Sequence, residues 1–197
     1  GREGLATSRP QAVETALVME RLSRKDLIVS MPSSYEPVAV PDDYRCFVLD
    51  WPLDEETYVT GFTTLPGNAK IVHHVISFLA PPEEVTAFEE LDAADPGPGY
   101  TCFGGPGRIT NALGWLGAWA PGGDGTDFPE GTGILVRPGS KIIFQVHYNT
   151  WDLDGVRTDT SAMAFKVDPS VERRAALTPF VNPSWVFGAN MPIAAGD

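Results

Sequence analysis

Ile71-Val72-His73-His74-Val75-Ile76-Ser77-Phe78-Leu79-Ala80 sets two adjacent imidazoles inside an apolar, β-branched run. That composition predicts a strand, largely buried. Two buried imidazoles without partners would cost roughly 1–3 kcal/mol each, so the pair needs an explanation. Successive side chains of a strand point to opposite faces, and the plain solution is one ring inside and one outside. The chain has one further histidine, His147, and it too sits in a strand-like run, Lys141-Ile142-Ile143-Phe144-Gln145-Val146-His147-Tyr148-Asn149. The whole histidine inventory therefore falls in two β-runs, and three imidazoles brought together make a metal site. For both rings of the pair to reach one ion, the strand must twist or end at them, or the ion must lie at the sheet margin.

Working outward from these two runs, further strand-like segments recur at 26–31, 44–49, 57–64, 131–136, 160–167 and 175–181, separated by Pro, Gly and Asp clusters. The 20 glycines and 18 prolines are dispersed, as short strands and tight turns require. An all-β fold follows, an antiparallel sandwich with 43% apolar residues to fill its core. The one long helical pattern is at 8–24, where Ser8 can cap and Pro10 fits the first turn. A short acidic helix is expected at 83–91. The aromatic stretch Leu113-Gly114-Trp115-Leu116-Gly117-Ala118-Trp119-Ala120-Pro121 could line a ligand pocket but reads as core or sheet-edge packing.

A formal charge of −12 without a basic stripe argues against nucleic acid and anionic membrane surfaces as partners. No run reaches the ~18–20 apolar residues of a membrane span, and Gly1-Arg2-Glu3-Gly4 opens no signal-peptide h-region. An exported protein would then have lost its leader, or the sequence is an internal piece of a longer chain. Gly104-Gly105-Pro106-Gly107 lacks the Gly-Lys-Ser/Thr ending of a phosphate loop. Cys46 and Cys102 read equally as two buried thiols or as a bonded pair. A bond would close a loop of ~57 residues, restrict the unfolded chain by about 4 kcal/mol, and imply an oxidising compartment.

Taken together, Met31-Pro32, Asp43-Tyr44-Arg45-Cys46, Val72-His73-His74, Tyr100-Thr101-Cys102, Ala118-Trp119-Ala120-Pro121 and Gln145-Val146-His147-Tyr148 resemble, in order and spacing, the copper type II ascorbate-dependent monooxygenases. These are typified by peptidylglycine α-hydroxylating and dopamine β-monooxygenases. The resemblance spans about residues 26–197. It implies a jelly-roll-like β-sandwich corresponding to the N-terminal of the family's two copper domains, the one that stores and passes an electron. His73, His74 and His147 match its copper ligands, and Cys46 and Cys102 match a bonded pair. Three neutral imidazoles suit both oxidation states of copper, and zinc with three histidines is the chemical competitor. Gln145, two residues before His147, shares its face on a regular strand and would either orient that ring or stand as an ordinary pleat glutamine. Tyr44 matches the family's tyrosine beside the first cysteine and reads as packing around the site.

The family's second copper, where oxygen meets substrate, uses a His-x-His pair and a methionine. This sequence has no histidines for it. The implied organisation is a helix or linker over 1–25, the copper domain over 26–187, and at 188–197, around Met191-Pro192-Ile193, the start of a second domain. The implied function is electron transfer within a secreted or periplasmic hydroxylase of C–H bonds. Its partners are ascorbate or another one-electron reductant, with O2 and a small-molecule or peptide substrate reacting at the second domain. Nucleic acid and membrane are not among them, and the chain alone is expected to be inactive. The alternative is a stand-alone copper-binding or electron-transfer module.

Overall fold

The computed structural model describes residues 21–108, 114–151, 155–178 and 182. Among them the chain forms strands β1 (Leu27–Ser30), β2 (Asp42–Asp50), β3 (Thr57–Leu65) and β4 (Val72–Ala80). A 3-10 turn at Pro82–Glu84 leads into helix α1 (Val85–Ala94). The chain then supplies β5 (Tyr100–Thr101), β6 (Gly114–Trp119), β7 (Thr126–Asp127), β8 (Thr132–Val136), β9 (Lys141–Asn149), β10 (Ala162–Asp168) and β11 (Arg173–Arg174). One sheet has the order β1-β10-β3-β8-β11, with β7 on β3; the other has the order β5-β2-β9-β4-β6. Every pairing is antiparallel except the two-residue β8–β11 contact. The expected all-β sandwich is what the chain forms. No helix among the described residues is long and apolar enough to cross a membrane.

Alternation along the strands puts Phe47, Leu49, Val75, Ile142, Phe144 and Val146 of the five-stranded sheet against Val59, Ile134, Val136, Met163 and Phe165 of the other. Each such side chain contributes about 1.5–3 kcal/mol on full burial. The row fixes the register of β4 and β9, because a slip by one residue would exchange it for the outward row, which carries His74, Lys141, Gln145 and His147 among its apolar members. Gly117 on β6 makes room for the Phe62 ring of the other sheet, with which a Cβ there would collide.

The five-stranded sheet is covered on its outer face too, but only over part of its length. Phe88 of α1 is fully buried with Phe78, Ala80, Ile143, Tyr100, Cys46 and Cys102 in a second apolar cluster. Arg45 ties the end of α1 to β2, donating to both Asp95 carboxylate oxygens and to the Pro98 and Gly99 carbonyls.

Gly114–Trp119 is a strand at the sheet edge with Leu116 buried in the core, in keeping with the packing expected of it, and Gly117 admits the Phe62 ring. Two expectations need correction. The strand expected over 175–181 is not formed at 175–178, where Leu177 makes only an isolated bridge to Trp115, and 179–181 lie outside the described residues. Residues 21–24 are non-helical, with Leu22 buried against Gly61, so they do not continue the helix expected over 8–24. The rest of that helix and the segment 188–197 lie outside the described residues.

Candidate metal centre

The centre is made by a mismatch between two strands. Val72 pairs with Tyr148 and His74 with His147, so two steps on β4 meet one step on β9 and His73 is the extra residue of a β-bulge. In a regular strand Val72 and His74 would share the inner face. The bulge instead keeps Val72 and Val75 inside while both His73 and His74 face outward. Tyr44 pairs with His147 on the other side, so Tyr44, His147 and His74 form one row across β2, β9 and β4 on the outer face. This is the end of the sheet that α1 leaves uncovered.

Nδ1 of His74 lies 3.2 Å from Nδ1 of His73 and 3.1 Å from Nδ1 of His147. The three residues each offer a ring nitrogen within 4.8 Å of the others. A neutral ring nitrogen is either a donor or an acceptor, so protons can satisfy only one of the two contacts that Nδ1 of His74 makes. A cation accepting lone pairs from all three satisfies every one. Separations of 3.1–3.2 Å are those of neighbouring ligands around an ion held at about 2.0–2.1 Å. Burial, and after it the neighbouring His147 and His73 rings, lower the His74 pKa and favour the neutral, ligating form. Burial grades outward: His147 is buried, His74 intermediate and His73 exposed.

Tyr44 stacks on His147 with centroids 4.1 Å apart and planes within 4°, and Phe103 meets Tyr44 edge-on at 4.9 Å. Burial and then the charge of Asp42 raise the Tyr44 pKa, which holds the phenol protonated. Tyr44 is thus a wall of the site through its ring. Gln145 shares the face but does not orient His147. Its Nε2 turns to the Gly105 carbonyl at 2.8 Å and lies 3.4 Å from Sγ of Cys102, so that role is withdrawn. Rows along a strand are about 6.6 Å apart, and the loop beside the cysteine is nearer. Cys46 and Cys102 are bonded, tethering that loop to β2 one row below the histidines. Gly99, at φ +68°, makes the approach possible, since a Cβ there would strike the Cys46 carbonyl.

The group that does reach His147 is Asp42, whose Oδ1 lies 2.8 Å from Nε2. Sequence reasoning missed it. The one available signal was its position two residues before Tyr44, hence on the same face of β2.

A β-sandwich bearing an outward-facing three-histidine cluster beside a disulfide defines a candidate mononuclear metal protein of an oxidising compartment. Residues 28–154 match the copper type II ascorbate-dependent monooxygenase, N-terminal domain, and the chain belongs to that family. The match includes all three histidines and both cysteines. No curated protein matches the chain.

Proposed function

We propose that this chain is the electron-storing copper domain of a secreted or periplasmic monooxygenase that hydroxylates a C–H bond with O2 and ascorbate or another one-electron reductant. The observation that carries the reading is the convergence of three Nδ1 atoms on the open end of a sheet in a member of this family. His73, His74 and His147 would hold the copper. Bound there, copper would supply a store for one electron, cycling between its two common oxidation states. The chain's own residues serve that task in distinct ways. His147, buried and stacked on Tyr44, holds one side of the site rigid, while the exposed His73 leaves the other side open to an electron donor or acceptor. Because the sequence's 3 histidines are all spent on one cluster, they build no second centre at which oxygen and substrate could meet.

Copper titration followed by paramagnetic resonance should give one Cu(II) per chain with nitrogen hyperfine structure, and ascorbate should bleach the signal. With each candidate substrate this chain alone should form no product. Tighter retention of zinc than of copper, or a signal without nitrogen coupling, would sink the copper assignment. Turnover by the metal-verified chain would sink its restriction to electron storage.

A further inference from the structure

We infer that Asp42 is the positioning residue of the centre: by accepting a hydrogen bond from Nε2–H of His147, it fixes the tautomer in which Nδ1 carries the lone pair toward His73 and His74. The inference rests on the metal-binding reading of the three histidines. A neutral imidazole holds its one proton on either nitrogen, and the hydrogen bond at one nitrogen decides the state of the other. An ionised carboxylate can only accept. With Oδ1 at 2.8 Å, the proton is drawn to Nε2 and Nδ1 is left bare where the trio converges. A flipped ring would put carbon at both ends of this arrangement, losing the carboxylate and the other imidazoles at once.

The placement follows from the register of β2 on β9. Asp42 pairs with Asn149 and Tyr44 with His147, which makes Asp42 and His147 diagonal neighbours on one face. The ring is therefore held along its edge by Asp42 and across its plane by Tyr44. Among the described residues His147 is the one histidine paired with a carboxylate. The carboxylate also sets a negative charge beside a site that would take a cation. Asp42 opens β2 and its side chain is 43% exposed, so replacing it leaves the core alone.

The experiment compares wild type with Asp42→Ala, Asp42→Asn and, as a control, Asp50→Asn, which removes the same charge from the far end of β2. Long-range ¹H–¹⁵N spectra of the metal-free proteins, at about pH 8 where imidazole is neutral, read the tautomer directly. Wild type and Asp50→Asn should show His147 protonated on Nε2, and Asp42→Ala a mixture. Copper(II) affinity should fall about 10–100-fold in Asp42→Ala. The fall should be smaller in Asp42→Asn, whose amide oxygen can still accept the bond while its NH2 can favour the other tautomer. An Nδ1–H form in the wild type, or an Asp42→Ala protein that matches Asp50→Asn in tautomer and affinity, overturns the inference. A wild type that binds no copper would sink the metal reading instead, and the metal-free spectra would still decide the role of Asp42.

Discussion

The two faces of β4 and β9 are drawn from the same 18 residues of two paired strands, yet they are held by different physics. Inside, Val75, Val146 and Phe144 pack against the opposite sheet and gain their free energy from burial alone. Outside, at the uncovered end, His73, His74 and His147 face one another and are left needing a shared partner. The first face fixes where the second can be, because the bulge at His73 shifts the pleat without disturbing the inner row. Shape is thus carried by one side of the ladder and chemistry by the other.

If that division holds, substitutions on the two sides should be separable. Phe144→Ala opens a cavity in the fully buried row and should cost about 3–5 kcal/mol in urea unfolding, while the protein that remains folded binds copper as before. A weakened copper site in that folded fraction would show that the faces are not independent. His147→Ala should do the reverse. Copper affinity should fall beyond the ~100-fold that marks loss of an outer-shell group, and stability should change by no more than the ~1.5 kcal/mol of the lost Tyr44 stack. Titration calorimetry and a denaturation curve on the same sample would read both.

A milder test is Tyr44→Leu, which keeps bulk but removes the parallel ring contact. It should cost about 0.5–1.5 kcal/mol, divided between fold and metal affinity, and leave three nitrogens in the copper spectrum. Loss of one nitrogen would mean that the stack fixes the ligand more strongly than Asp42 does. The smallest effect belongs to the covered end of the same face. Hydrogen bonding from Arg45 lowers the Asp95 carboxyl from 3.8 to about 2. The stability it contributes is complete above pH 3.8 and is lost as pH falls toward 2. Asp95→Asn should flatten unfolding midpoints across that window and leave copper affinity at neutral pH unchanged; an affinity change would tie the two ends of the face together.

What could be read from the sequence was whatever a single strand carries. The β-branched run around His73-His74 gave its strand, the confinement of histidines to two runs suggested the cluster, and the motif order pointed to the Cys46–Cys102 bond. What could not be read depends on how strands pair. The bulge exists only relative to β9, since Val72-His73-His74 has the composition of an unbroken strand. Asp42 is a diagonal neighbour across a ladder and is invisible until the β2 register is known. Gln145 was placed on the correct face, but spacing along one strand says nothing of the Gly105 loop lying closer than the next row. The strand at Gly114–Trp119 escaped in part because Gly117 answers to the Phe62 ring of the other sheet, not to any local preference.

The bulge also makes the site portable. Five residues on two adjacent antiparallel strands, Val72-His73-His74 facing His147-Tyr148, carry the geometry, and one inserted residue converts an alternating pair of side chains into a pincer on one surface. A designer who grafts two neighbouring histidines onto a regular ladder will send one of them into the core. Grafting them with the extra residue, and a third histidine directly across, gives a three-nitrogen face to any sheet whose other side is already packed.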